Sequence, residues 1–305
     1  MALLLSVIVF LLVFSALVLV HEWGHYKAAK VSKVTVEEFG LGFGKRIWGF
    51  HKDGTDFNIN LIPFGGFVRM LGEEESSDAP GSFEKAPLLN RMMITVAGVI
   101  MNWIFAIILL FALFIHGTDP ILLSKADLNW AISQGYVEQL PVSDQLSEEE
   151  GAEAAAAGPA YKFVKQIKLP VGEAAVKAVT ETGRISKAIV VRLSEIPGEI
   201  IRERRFPEGL TGPLGIAEVT HRVVPRGIWE ILKLTALLSI SLAVMNLLPI
   251  PALDGGRLVL QLFELITRRK PNEVWEHRLH YAGFVFLMAL IFAVTWNDIM
   301  RMFFS

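Results

Sequence analysis

Four apolar stretches, Ala2 to Val20, Met92 to Ile115, Ile228 to Leu248 and Tyr281 to Trp296, constrain this chain more than any other feature. A helix crossing the hydrocarbon core of a bilayer needs about 20 apolar residues, and the first two stretches are long enough. The fourth is short alone and is expected to continue through Asp298 to Phe304. Hydrophobic residues make up 52% of the 305, too many for an ordinary soluble domain. The expected fold class is therefore membrane, mainly α, with four transmembrane helices. The competing reading of the first stretch is a cleaved secretory signal. No Lys or Arg precedes it, however, and it exceeds the usual apolar core of roughly 7–15 residues.

Charge and cysteine content remove other classes. A formal charge of -2 offers no basic face for nucleic acid, so no nucleic-acid partner is expected. The absence of Cys excludes disulfides, thiolate zinc sites and a cysteine nucleophile. Any metal must be held by His and carboxylates. The oligomeric state is left open.

Lys27, Lys30 and Lys33 follow the first stretch, and Lys85 and Arg91 precede the second. Arg257, Arg268, Arg269, Lys270 and Arg278 lie between the third and fourth, whereas no basic side chain precedes the first. Basic flanks stay cytoplasmic, so both termini are expected outside. The segment from Gly117 to Gly227 would also lie outside, because loops beyond about 60 residues cross largely regardless of charge. These features fit a multi-pass protein of a bacterial plasma membrane.

Three regions are expected: a first membrane half at 1–116, an outer segment at 117–210 and a second membrane half at 211–305. In the first half, the glycines of FGLGFGK, the Asp53-Gly54 turn and the alternation Phe57, Ile59, Leu61 predict a β-hairpin. Pro63 and Gly65-Gly66 are expected to break that run, while Phe64, Phe67 and Val68 keep it apolar enough to dip into the bilayer surface. An ordinary cytosolic hairpin fits the pattern equally well. The acidic, alanine-rich stretch Ser143 to Pro159 reads as a linker or a short solvated helix. An amphipathic helix is expected over 171–200, from the spacing of Val171, Ala175, Ala178, Thr182, Ile185 and Ile189. Its charges forbid a span, so it either lies on the membrane surface, the favoured reading, or packs on a small soluble domain.

The motif that carries chemistry is His-Glu-Trp-Gly-His at the end of the first stretch. A spacing of four nearly completes a turn of about 3.6 residues, so His21 and His25 share a face and can reach one zinc ion. Glu22 stands beside the metal rather than on it, placed to take a proton from the attacking water and pass it to the leaving amine. The pattern alone is short. Its place at the end of an apolar stretch, near the expected cytoplasmic side, makes three ionisable side chains costly unless they serve a function. Catalytic zinc needs three protein ligands and an open position, so one ligand is missing. No His or Glu follows at the spacing of the soluble zinc proteases. In the third stretch, NLLPIPALDGG has two prolines that break the helix and brings Asp254 to a matching depth. An Asp-Gly-Gly turn closing a membrane helix is the alternative.

HEWGH at the end of one span paired with NLLPIPALDGG in a later one resembles the site-2 protease family of intramembrane zinc metalloproteases, in its bacterial, sigma-factor-regulating branch. The resemblance extends to FGLGFGK, GTDFNINLIPFGGFVRMLGE, GVIMNWIFA and TGPLGIAEVT. It implies Zn2+ held by His21, His25 and Asp254, with Glu22 as acid/base. It implies a substrate strand held by Asn246 and by a membrane re-entrant hairpin at 55–71, with Asn58, Asn60 and Leu61 as contacts. Gly98 and Asn102 match the glycine and asparagine of the second span, although such a glycine more often just permits close helix packing. Single-span membrane proteins are the implied substrates, cut within their membrane segments, with the lipid bilayer as surroundings. The chain departs from the branch between Gly117 and Leu210, where no PDZ signature is found. Two other readings remain: an inactive scaffold of the same fold, and a zinc or proton transporter using His and Asp at mid-membrane.

Overall fold

The computed structural model describes residues 2–73, 77–139, 161–203, 211–270 and 272–304. The stretch Ser143 to Pro159 lies outside them. Among the described residues, four helices are long and apolar enough to cross a membrane: Leu3–Val31, Leu88–His116, Ile228–Leu247 and Val274–Met302. The last starts well before Tyr281, because the amphipathic residues ahead of the apolar run join the same helix. The chain divides into two compact units, one formed by 1–106 with 189–305 and the other by 107–188.

In the first unit, α1 (Ala2–Val31) leads into β1 (Val36–Lys52) and β2 (Thr55–Met70). Asp53 and Gly54 both take positive φ, 49° and 75°, the tight turn expected from an Asp-Gly pair between strands. Glu38 to Leu41 each have two partners, one in 56–59 and one in 66–69. The two strands thus fold over into a sheet four segments wide, with 46–52, 55–60, 38–41 and 66–70 side by side. Pro63 and Gly65-Gly66, expected to end the run, lie within β2 where the chain changes partners, and Gly65 takes φ +84° there. Tyr26, Ala29, Val36, Phe39, Met70, Phe83 and Ile94 form a buried cluster that locks the foot of α1 to the sheet and to the start of α2 (Leu88–His116).

The second unit holds the last part of α2, α3 (Lys125–Ser133), the three-residue ladder of β3 (Val137–Gln139) with β4 (Tyr161–Phe163), and the first half of α4 (Val171–Glu203). The predicted amphipathic helix is thus present and slightly longer than 171–200. Ala174, Ala178 and Ile185 of α4 are buried, so one face of its first half packs within this unit. Arg184 bonds the Asp127 carboxylate at 2.6 Å, the Ile121 carbonyl at 2.8 Å and the Glu181 carboxylate. Burial lowers the Arg184 pKa, but the two carboxylates more than offset this and leave it raised.

Back in the first unit, α5 (Pro213–Val223) begins at TGPLG. The Asp298 carboxylate, fully buried, accepts the Gly215 N–H at 2.9 Å and satisfies one of the open donors of that helix start. A 3-10 turn then leads to α6 (Ile228–Leu247). Leu248 precedes a proline, is pushed to an extended backbone (ψ 143°), and ends α6. Asp254 is therefore not inside the third span, where the sequence placed it. It opens a separate helix, α7 (Asp254–Thr267), after the PIPAL connector, and α8 (Glu273–Phe304) follows. Arg91 to Glu264 at 2.7 Å and Gln261 to Thr95 at 3.0 Å hold α7 against α2.

Candidate metal centre

His21 and His25 project from one face of α1, as their spacing requires, and meet Asp254 at the first turn of α7. The facing atoms form a nearly equilateral triangle. His21 Nε2 and His25 Nε2 are 3.2 Å apart, and the Asp254 Oδ2 lies 3.1 Å from the first and 3.3 Å from the second. Ligands at the usual zinc distances of about 2.0–2.1 Å on a tetrahedron sit about 3.3–3.4 Å from one another.

The outer contacts of the two rings explain why these atoms need a cation. His25 Nδ1 donates to the Ile94 carbonyl at 2.8 Å, which leaves Nε2 as a bare lone pair. His21 Nδ1 lies 3.3 Å from the side-chain amide of Asn102, a fully buried residue whose Oδ1 has no partner. Turning that amide over gives Oδ1 a proton to accept from His21 Nδ1 and leaves the second Nε2 bare as well. The Asp254 Oδ2, also without a hydrogen-bond donor, completes three acceptors pointed at one another. Uncompensated, this is costly in a buried site; a divalent cation resolves it. The residues fit zinc.

Glycines let the elements come this close. A Cβ on Gly98 would stand 2.4 Å from His25 Nε2 and 2.7 Å from His21 Cε1, and one on Gly24 would stand 2.4 Å from the Ala97 carbonyl oxygen. Gly98 is thus more than a packing position: it leaves the room both imidazoles occupy. Gly98→Ala is expected to cut zinc content tenfold or more, in line with losses from disturbed ligand support. Metal analysis of the purified protein with a circular dichroism check reads this out, and full zinc content in a folded variant would refute it.

A cavity of about 410 Å³ surrounds the triad and is lined by Glu22, Asn246, Arg257, His280 and the β2 residues Gly65 to Val68. Gly66 packs directly on Glu22, since a Cβ there would come within 3.2 Å of the Glu22 Cγ. Asn246, which the resemblance makes a substrate contact, lies in the last turn of α6 and lines the cavity. Asn58, Asn60 and Leu61 do not. Asn60 donates to the Gly42 carbonyl at 3.0 Å and Asn58 to the Glu38 carboxylate, because 55–60 is paired on both sides inside the sheet. The lining segment is the next one, 65–70, paired only with 36–41 among the described residues.

A model of peptidase family M50 matches residues 9–290. The chain belongs to that family, the site-2 proteases. A Clostridium perfringens protein bearing a zinc metalloprotease name is 30% identical, over 95% of this chain and 97% of its own length. The zinc metalloprotease RasP of Bacillus licheniformis and the regulator of sigma-W protease RasP of Bacillus subtilis are each 28% identical, over 98% of this chain and 99% of theirs. This M50 chain is accordingly a multi-pass membrane enzyme, a zinc metalloprotease. Its alignment with the Bacillus subtilis protein spans 421 positions against 305 residues here, so the relative carries residues that this chain lacks.

The sequence reading missed Glu73, Arg257 and His280 in the cavity wall. Arg257 could have been found, since it sits three residues after Asp254 on one helix, and it pairs with Glu73. His280 has no such signal. It comes from α8, where its Nδ1 accepts the N–H of Ala252 at 3.1 Å. Ala252 holds a positive φ of 76°, unusual for a residue with a side chain. Gly283, one turn on, leaves space for the Pro251 carbonyl, which a Cβ there would meet at 2.1 Å.

Proposed function

We propose that this enzyme cuts single-span membrane proteins within their membrane segments, with His21, His25 and Asp254 as zinc ligands and Glu22 as general acid/base. The observation that carries this reading is that the triad, Glu22 and a strand edge unpaired among the described residues share one cavity in a unit built of apolar helices. A helical amide is shielded by its own hydrogen bonds, so a substrate must unwind before it can be cut. The edge at Gly65 to Val68 offers the unwound segment backbone partners, in the manner of strand addition, with Asn246 on the opposite wall. Held by His21, His25 and Asp254, zinc would supply Lewis acidity toward a carbonyl oxygen and would lower the pKa of water so that it gives up a proton near neutral pH. Glu22 takes the proton of the attacking water and delivers it to the leaving amine.

The exposed Phe43, Ile47, Trp48, Ile59, Leu61 and Ile62 support a sheet that dips into the bilayer, since a solvated hairpin would not carry so broad an apolar patch. The lysine flanks support a cytoplasmic catalytic face with both termini outside. With the PDZ signature degenerate or missing between Gly117 and Leu210, α4 takes over part of the size exclusion. Deleting Val171 to Glu195 is then expected to widen the substrate range, and an unchanged range refutes that role. The test of the whole reading is reconstitution with a tagged single-span substrate: cleavage inside its span is expected, and zinc binding without cleavage of any helix would favour an inactive scaffold.

His280 we assign as a positioning residue. By accepting the Ala252 N–H it holds the strained connector that presents Asp254. His280→Ala is expected to weaken zinc binding about 10–100-fold, as losses of outer-shell support do. His280→Asn, whose Oδ1 can take the place of Nδ1, is expected to restore most of it in a zinc-competition titration. Equal losses in both variants would remove the role.

A further inference from the structure

The opposite side of α1 from the metal ligands bounds a second cavity, of about 600 Å³, which shares no lining residue with the first. Its deep end is Leu19 and Val20, in the uninterrupted apolar run. Its walls are aromatic and mutually braced: Trp23 stacks on Tyr26 at 5.2 Å, Phe50 stacks on Phe57 at 4.9 Å, and Tyr26 meets Phe57 edge-on at 5.6 Å. Trp23 and Phe50 are 39% and 43% exposed, so the cavity opens to the surroundings between them.

The polar end is cationic. Lys27 and Lys52 line it, with Asp53 the one acid among the lining residues. Lys30 sits beside them, donating to the Asp53 carbonyl at 2.8 Å. Lys27 Nζ lies 4.6 Å from the centre of the Trp23 ring, so that ring face is already taken by a cation and is closed to a quaternary ammonium head group. From Val20 to Lys27 the helix rises about 10 Å, the step from acyl chain to head-group depth. A pocket that is apolar at the depth of the span and positive at its end complements one kind of molecule in a bilayer.

We propose that this cavity binds one anionic glycerophospholipid. An acyl chain lies along Leu19, Val20 and Phe57, and the phosphate is held by Lys27 and Lys52. The bound lipid wedges the sheet against α1, on the face away from His21 and His25.

Native mass spectrometry of the full-length, zinc-loaded protein tests this with phosphatidylglycerol and phosphatidylcholine of matched chains. One phosphatidylglycerol adduct is expected to survive activation that strips phosphatidylcholine. The paired variant K27Q/K52Q is expected to weaken it about tenfold or more, and K27R/K52R to keep it. Phe50→Ala, an opened wall with unchanged charge, is expected to lose the adduct too, and guards against misfolding of the lysine pair. Millimolar inorganic phosphate is expected not to displace it. Equal retention of the two lipids, an undiminished adduct in K27Q/K52Q or in Phe50→Ala, or displacement by phosphate alone would each overturn the proposal.

Discussion

Replacing Glu22 with Gln is expected to lower the cleavage rate about 10³-fold or more while the protein keeps its zinc, since a positioned acid/base is worth up to roughly 10⁴. The substitution is nearly isosteric and removes only the ability to accept and return a proton. Glu22 is not part of the ligand triangle, whose three atoms come from His21, His25 and Asp254, so metal content should not follow activity. Gly66 leaves just enough space for the Glu22 stem, and Gln fits the same space. Reconstituted wild type and variant, assayed on one tagged single-span substrate with zinc measured in parallel, read out both quantities. Residual cleavage within tenfold of wild type would refute the assigned mechanism. Loss of zinc together with activity would show instead that Glu22 helps hold the metal.

Asp254→Ala is expected to remove zinc and activity together, with a loss of metal affinity larger than the roughly 100-fold that outer-shell changes produce. Two imidazoles 3.2 Å apart remain, too few ligands for a catalytic site. The metal-stripped proteins supply an independent check. Without a cation the wild type buries a carboxylate oxygen 3.1 Å and 3.3 Å from two imidazole nitrogens, a desolvation cost that the substitution removes along with their contacts. Asp254 also opens α7, where a carboxylate at a helix start contributes about 0.3–1 kcal/mol. The metal-free variant should therefore unfold at a temperature close to that of the metal-free wild type, whereas zinc raises the midpoint of the wild type alone. A variant that still binds stoichiometric zinc would exclude Asp254 as a ligand.

Much of the site was legible because its parts are local. The spacing of His21 and His25 fixes their common face on any helix, and Glu22 follows from the same turn. Apolar stretch lengths gave the four candidate spans, and Asp53-Gly54 gave the turn between the strands. Asp254 could be paired with HEWGH from matching depth and family resemblance. The element carrying it could not be read: Pro249 and Pro251 mark a break, but a break alone does not say that the chain turns into a new helix with Asp254 at its first position. The hairpin residues expected to contact substrate do not line the cavity, for a related reason. Asn58 and Asn60 lie in a strand-like pattern, but alternation does not tell an edge from a segment paired on both sides, and the folding over of β1 and β2 puts them inside.

The sequence by itself determined the membrane class and the zinc metalloprotease class and pointed to His21, Glu22, His25 and Asp254, the first three because helix periodicity acts over a few turns of chain and the last by the pairing of two motifs. Only the tertiary structure decided what surrounds them. It brings Asp254 within 3.1–3.3 Å of two imidazoles more than two hundred residues away in the chain, turns Gly65 to Val68 toward the metal centre, and braces the strained Ala252 with His280 from the last helix. These relations depend on close approach between distant elements, set by glycines at Gly24, Gly98 and Gly283. What those glycines meet across the fold is not written in their neighbours in the chain.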